Sequence, residues 1–268
     1  MKNKVVIITG ASSGIGKACA EAFGKAGAKI VITGRRADAL KLVADDLTAL
    51  GIDNLPLIAD VSVEADNEKV MQQTIARYGQ IDVLINNAGI TMRALFQDAD
   101  LSVIRKVMDT NFYGTVYATK YALPYLLQTK GSIVGISSIA GYRGLPVRCG
   151  YSASKFAMQG FLEALRTEML HKGVHVLVAC PGFTTSNIRQ VALVGDGSVG
   201  GETVRAEDKM MSAEEVAQHI LRATIHRKRD LILTMQGKMT VFLNKWFPGF
   251  MDKMVYNHLA KEKDSPLK

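Results

Sequence analysis

Short runs of apolar, β-branched residues alternate along this chain with longer stretches whose apolar positions recur every three or four residues. The runs Val5–Thr9, Lys29–Thr33, Leu55–Ala59, Val83–Ile85, Ser132–Ile136 and Val174–Ala179 predict buried strands. The stretches Lys17–Ala26, Ala37–Leu50, Glu64–Tyr78, Leu101–Leu127 and Tyr151–His171 predict helices. Strands that are apolar on both faces belong in a sheet covered on both sides, with the helices as crossovers. The pattern predicts an α/β fold with a doubly wound parallel sheet. No internal repeat, low-complexity tract or linker interrupts it, so residues 1–268 are expected to form a single domain.

The last third is less regular. Gln190–Met211 carries four glycines and many polar residues. A loop this long in a compact domain is usually functional or disordered, and its place after the sixth strand suggests a substrate lid over 186–211. Ser212-Ala213-Glu214-Glu215 then reads as a capping box that starts a helix. In the C-terminal extension, 236–268, Met239, Phe242, Leu243, Trp246, Phe247 and Phe250 recur at helical spacing. Lysines 238, 245 and 253 flank them, and Pro248-Gly249 interrupts. One reading is a face packed on the body or on a subunit partner, including a lid over a pocket. The other is a weak contact with a membrane surface. A hydrophobic lid would favour a lipophilic carbonyl substrate.

Composition narrows the class. Hydrophobic residues at 48% and charged residues at 22% describe an ordinary globular protein. Met1-Lys2-Asn3-Lys4 leads straight into Val5–Ile8, so no leader is expected, and no apolar run approaches the length of a spanning helix. Cys19, Cys149 and Cys180 have no metal-ligand spacing, and an odd, sparse set points to a reducing compartment. A cytoplasmic protein without a metal site is expected. The net charge of +8 comes from scattered lysines and arginines without a nucleic-acid motif. It reads as a basic surface serving an anionic cofactor, with no nucleic-acid partner.

Thr9-Gly10-Ala11-Ser12-Ser13-Gly14-Ile15-Gly16 joins the first strand to the first helix. Gly10, Gly14 and Gly16 allow a sharp turn and a close approach to a pyrophosphate, and the following helix offers free N–H groups around Ile15. Ser12 and Ser13 add hydroxyl donors. A glycine turn with no ligand is the alternative. A site selecting NAD usually carries an acid at the end of the second strand. Here that end reads Thr33-Gly34-Arg35-Arg36. Guanidinium matches phosphate, so Arg35 is the first candidate for the 2′-phosphate of NADP and Arg36 the second; a surface charge before a helix is the other reading. NADP(H) is therefore expected in preference to NAD(H).

Tyr151 and Lys155 lie one helical turn apart on one face. A lysine charge there favours the phenolate of a tyrosine whose ordinary pKa is about 10. Tyr151 would then be general acid in reduction and general base in oxidation. Ser138, thirteen residues before it in Ile136-Ser137-Ser138, would hold the substrate oxygen. With eight tyrosines and many lysines the Tyr-x-x-x-Lys spacing alone is unspecific, and the glycine-rich turn makes it specific.

With Asn86-Asn87-Ala88-Gly89 in the middle, these motifs make the chain resemble the classical short-chain dehydrogenases/reductases from about Val5 to about Thr185. The resemblance implies a Rossmann-type sheet of about seven strands in the order 3-2-1-4-5-6-7. It implies that Asp60-Val61 borders adenine, and that Asn87-Ala88-Gly89 supports the central strand and touches a ribose. A scaffold role for the asparagines is an equal reading, because they can satisfy backbone groups at a strand end. By the same resemblance Lys155 also holds the nicotinamide ribose, and Asn111 anchors a water in a proton relay. Pro181-Gly182-Phe183-Thr184-Thr185 would face the nicotinamide carboxamide, Thr185 fitting the binding position better than Thr184. A homodimer or homotetramer is implied as well. The expected activity is interconversion of a carbonyl and an alcohol. The rivals are an NADPH-sensing regulatory protein without turnover and a peripheral membrane reductase.

Overall fold

The computed structural model of the chain describes residues 1–182, 184, 188, 191–200, 210–261 and 265–267. Seven parallel strands form one sheet: β1 (Val5–Ile8), β2 (Lys29–Gly34), β3 (Asn54–Ile58), β4 (Val83–Asn86), β5 (Ser132–Ile136), β6 (His175–Cys180) and β7 (Asp230–Ile232). Their order is β3-β2-β1-β4-β5-β6-β7. Between β1 and β4 the winding reverses, with Val6 paired to Lys29's neighbour Ile30 on one side and to Val83 on the other. Such a reversal opens a crevice at the carboxyl ends of the strands.

Both faces of the sheet are buried because the central strands are apolar throughout. Val6, Ile8, Ile30 and Ile32 point into one core with α1 (Gly14–Lys25), α2 (Ala37–Ala49) and α7 (Ala213–Ile225). Val5, Ile7, Val31 and Leu84 point into the other, against α3 (Glu64–Tyr78), α5 (Gly114–Thr129) and α6 (Cys149–Glu168). This is the doubly wound Rossmann-type arrangement. At the bottom of the sheet the buried Asp82 accepts hydrogen bonds from the Val5 amide (2.9 Å) and Gln80 (2.7 Å) and pairs with Lys4 (2.8 Å).

All six strands expected from the pattern are present, shifted by a residue or so at their ends. β7 was not located from the sequence. It is three residues long and starts at the exposed Asp230, so its apolar signal is only the brief Leu231-Ile232-Leu233 directly after the charged stretch Arg227-Lys228-Arg229-Asp230. The expected helix Leu101–Leu127 is interrupted. α4 (Leu101–Met108) runs into a π-helical turn at Asp109–Tyr113 before α5 continues. The capping box forms as expected, with Ser212 Oγ accepting from Glu215 N at 3.1 Å and Ser212 N donating to Glu215 Oε2 at 3.0 Å.

The C-terminal extension forms α8 (Met235–Trp246) and α9 (Pro248–Ala260). Met251, Val255 and Leu259 are buried together, with Leu243 and Leu145 packed on them. The aromatic stripe is turned the other way. Phe242, Trp246, Phe247 and Phe250 are all more than half exposed, so of the expected packing face only Leu243 turns inward. Helical spacing identifies two apolar faces here, and the smaller aliphatic one fits the body.

Candidate active site

The turn after β1 sits in the crevice. Gly10 has φ +64°, and a Cβ there would lie 2.7 Å from the Ala88 Cα. Gly16 is closed in on three sides, since a Cβ would meet the Gly10 carbonyl oxygen at 2.6 Å and Asn87 Nδ2 at 2.5 Å. The reason lies in Thr9 and Asn87. Thr9 Oγ1 accepts from the amides of Asn87 and Ala88, both at 3.0 Å. Asn87 Nδ2 donates back to the Thr9 carbonyl at 2.9 Å and the Gly10 carbonyl at 3.0 Å. Asn87 thus fastens the ends of β1 and β4 to each other, as the scaffold reading required. Its neighbour Asn86 donates to Thr119 at 3.1 Å.

A cavity of about 850 Å³ extends from this turn across the carboxyl end of the sheet. One end is lined by Gly10, Ser12, Ser13, Gly14 and Ile15, whose amides open α1 with Ser13 as its N-cap. Arg35 and Arg36 line the same end, with Asp60 and Val61 beyond them. Arg35 reaches Asp60 at 3.5 Å. Burial pulls the Asp60 carboxyl upward, but hydrogen bonds from Ser62 and the Arg35 charge outweigh it and leave the group below the ordinary carboxylate range. Ala88, Gly89, Pro181 and Gly182 continue the lining. Thr184 is buried beside them, its hydroxyl donating to the Gly182 carbonyl at 3.2 Å. Thr185, the preferred carboxamide ligand, lies outside the described residues.

Ser138, Tyr151 and Lys155 all line the cavity. α6 places Tyr151 and Lys155 on one face, with Lys155 Nζ 5.8 Å from the centre of the phenol ring. Lys155 is buried and donates to the Ile136 carbonyl at 2.8 Å, which fixes it to the end of β5. Burial lowers its pKa from 10.5 to about 8. Ser138 caps the short turn after β5 and its Oγ accepts from Ala140 N at 3.1 Å, which leaves the hydroxyl hydrogen to donate.

Gly16 and Asn111 do not line the cavity. Asn111 is fully buried in the π-helical turn behind it. Its Oδ1 accepts from Ile90 N at 2.8 Å, and its Nδ2 donates to Ile90 O and to Ser154 Oγ, both at 2.9 Å. Ser154 in turn donates to the Tyr151 carbonyl at 2.7 Å. Asn111 therefore joins the loop after β4 to the helix that carries Tyr151. Gln159 is a second supporting residue. Its Nε2 donates to Ser137 Oγ at 2.8 Å and approaches the Ser138 carbonyl at 3.4 Å. Neither Ser154 nor Gln159 was singled out from the sequence. Their spacing from Tyr151 and Lys155, three and four residues on the same helix, was the available signal.

The other end of the cavity is mainly apolar, lined by Met92, Leu145, Val191, Leu193, Met251 and Val255. Leu193 pairs with Met92 and exchanges backbone hydrogen bonds with Thr91 (3.0 Å) and Arg93 (2.8 Å), which fixes it in the cavity wall beside Met92. Residues 185–187, 189–190 and 201–209 of that region lie outside the described residues. α8 and α9 close the far side. Arg143 holds Asn244 at 3.1 Å and pairs with Asp252, and Asn244 donates to the Tyr142 carbonyl at 2.9 Å. Val147, in the loop before α6, has φ +58°, a strained conformation for a β-branched residue. Its carbonyl accepts from Ala94 N at 2.9 Å, which holds two walls of the pocket together. Among the described residues no group of His, Cys, Asp or Glu side chains is arranged to hold a metal.

The chain is similar to known proteins over most of its length. A family model for short chain dehydrogenase matches residues 4–193. The mouse protein "Dehydrogenase/reductase SDR family member 7B" is 37% identical over 271 residues, covering 99% of this chain and 84% of that protein. The Arabidopsis thaliana protein "11-beta-hydroxysteroid dehydrogenase-like 4A" is 39% identical over 224 residues, covering 83% of this chain and 75% of that protein. A Burkholderia phymatum short chain dehydrogenase/reductase solved with NAD superposes with a TM-score of 0.84 at 23% identity, over 93% of this chain and 95% of that one. An alcohol dehydrogenase from Thermococcus sibiricus, solved with 5-hydroxy-NADP, superposes with a TM-score of 0.75 at 23% identity, over 87% of this chain and 96% of that one. The chain belongs to the short-chain dehydrogenase/reductase family of oxidoreductases.

Proposed function

We propose that the protein is an NADP(H)-dependent oxidoreductase that interconverts a carbonyl and an alcohol. The observation that carries this reading is the shared cavity lined by Ser138, Tyr151 and Lys155 and, at its other end, by Arg35, which follows β2 where a site selecting NAD usually carries an acid. The glycine turn fits a dinucleotide, because the Gly10–Ile15 stretch lines the cavity and neither Gly10 nor Gly16 has room for a side chain against Ala88 and Asn87. When bound, the cofactor supplies or accepts the hydride. Ser12, Ser13 and the first amides of α1 would hold its pyrophosphate, and Arg35 its 2′-phosphate. Lys155 would hold the nicotinamide ribose.

Ser138 donates to the substrate oxygen and keeps it beside Tyr151. Tyr151 gives its proton to that oxygen in reduction and takes it back in oxidation. The Lys155 ammonium behind the ring favours the phenolate. Asn111 acts through position, holding Ile90 and the start of α6 in register. The apolar end of the cavity favours a carbonyl with a lipophilic body.

The experiment is NADPH consumption by the purified protein across aldehydes and ketones, from small and polar to bulky and apolar, with Tyr151→Phe in parallel. Turnover on the apolar members that falls about 10³-fold in the variant supports the reading. Turnover unaffected by Tyr151→Phe contradicts the assigned acid. NADPH binding without turnover on any member returns the sensing, non-catalytic reading.

A further inference from the structure

The α8–α9 pair has two faces of different chemistry. Inward, Gly237 packs against Ile139 in the turn that carries Ser138, and Met251, Val255 and Leu259 are buried. Outward, Met235 is 75% exposed, Phe242 58%, Trp246 62% and Phe250 59%. On α8 the outward residues fall at 235, 239, 242 and 246, a spacing of one continuous helical strip. At the junction Trp246-Phe247-Pro248-Gly249-Phe250 brings three exposed aromatic side chains to one corner.

The charges along this strip have one sign. Lys238, Lys245 and Lys253 are exposed, and none meets a carboxylate among the described residues. Lys245 Nζ stands 5.8 Å from the centre of the Trp246 ring. The one acidic residue of α8 and α9, Asp252, is paired with Arg143 of the body. The core of a subunit interface is depleted of charge, lysine above all. A strip that mixes lysines with tryptophan and phenylalanine instead suits an anionic bilayer, with rings at the headgroup level and ammonium groups on phosphates. Among the described residues no helix is long and apolar enough to cross a membrane, so the contact would lie on the surface.

We propose that the outer face of α8 and α9 docks the protein on an anionic lipid surface, with the Trp246–Phe250 corner inserted at the boundary of headgroups and acyl chains. Met254, exposed on α9 and also lining the cavity, then sets the pocket wall beside the lipid. The docking does not depend on the reaction, and the two claims fail separately.

Trp246 is the only tryptophan of the chain, so its emission reports this corner directly. The full chain is mixed with vesicles of phosphatidylcholine alone, and of phosphatidylcholine with about one-third phosphatidylserine. With the anionic vesicles the emission should shift to the blue, brominated acyl chains should quench it, and the protein should float with the lipid. High salt, or the combined Lys238→Glu, Lys245→Glu and Lys253→Glu substitutions, should weaken binding about tenfold or more. The substituted protein should keep its NADPH turnover on a water-soluble carbonyl. Unshifted emission without flotation overturns the proposal. So does a blue shift in lipid-free solution that grows with protein concentration together with a dimer, which would make the face a contact between two copies. Flotation by a protein that turns over no carbonyl leaves the docking standing and removes the reductase reading.

Discussion

Asn111 and Ile90 are joined by both members of an amide-to-backbone pair. Asn111 Oδ1 takes the Ile90 amide at 2.8 Å, and Asn111 Nδ2 gives to the Ile90 carbonyl at 2.9 Å. Both bonds are shielded from bulk solvent, since Asn111 is fully buried. Asn111→Leu leaves the Ile90 amide and carbonyl without these partners. It should cost about 3 kcal/mol in urea unfolding. Because the same side chain holds Ser154 and through it Tyr151, kcat should fall with little change in the dissociation constant for NADPH. Equal loss of cofactor binding and turnover would contradict a positioning role confined to the catalytic side.

Lys155 gives a pH prediction with a definite sign. Its pKa is about 8 in the folded chain and 10.5 in the unfolded one, because burial disfavours the charge. Below pH 8 both states hold the proton, and the native state carries the full cost, about 3 kcal/mol. Between about pH 8 and 10.5 the unfolded chain binds more protons, so this group makes stability rise with pH. The cofactor-free protein should show that rise in urea midpoints, and Lys155→Met should lack it. A variant with the same slope would refute the assignment.

Gly16 is closed in by the Asn87–Thr9 connection. In Gly16→Ala the new methyl would stand 2.6 Å from the Gly10 carbonyl oxygen, a backbone atom held in place by Asn87. Overpacking of this kind should cost about 3 kcal/mol, together with weaker NADPH binding. Thermal unfolding and cofactor titration check both. An Ala variant as stable as the parent would mean that the turn is less rigid than the hydrogen bonds imply.

Arg35 lines the cavity and is half-exposed, with Asp60 as its ion-pair partner. Arg35→Glu should raise the KM for NADPH about 50-fold, the worth of a charge-assisted hydrogen bond, while leaving NADH nearly unchanged. Equal effects on the two cofactors would remove Arg35 from the 2′-phosphate site and shift attention to Arg36.

The strands were legible because they are buried on both faces, which leaves unbroken apolar runs such as Val5–Ile8 and Ile30–Ile32. β7 was not, because it is a three-residue edge strand with one pairing partner, and its short Leu231-Ile232-Leu233 run follows directly on a charged stretch. That the glycine turn and Ser138, Tyr151 and Lys155 line one cavity was legible because the proposed chemistry calls for particular residues at particular spacings. The supporting bonds were not. Gln159 and Ser154 act through contacts made across the fold, with Ser137 and Asn111, and only their helical spacing from Tyr151 and Lys155 sets them apart from other helix residues. The direction of the α8–α9 stripe was hidden for a related reason. Periodicity finds a face, whereas Arg143 and the small Gly237 decide which face turns inward.

The π-helical turn at Asp109–Tyr113 has a consequence for the length of this chain segment. One residue corresponds to about 100° of helical rotation. Deleting a single residue between 109 and 113 would restore regular geometry locally but swing either Asn111 or the Ala118–Ala122 side of α5 out of phase with the rest. Substitutions can be absorbed here more easily than a change of register. A one-residue deletion that left a folded, active protein would show that the two halves of this long helix are free to turn independently.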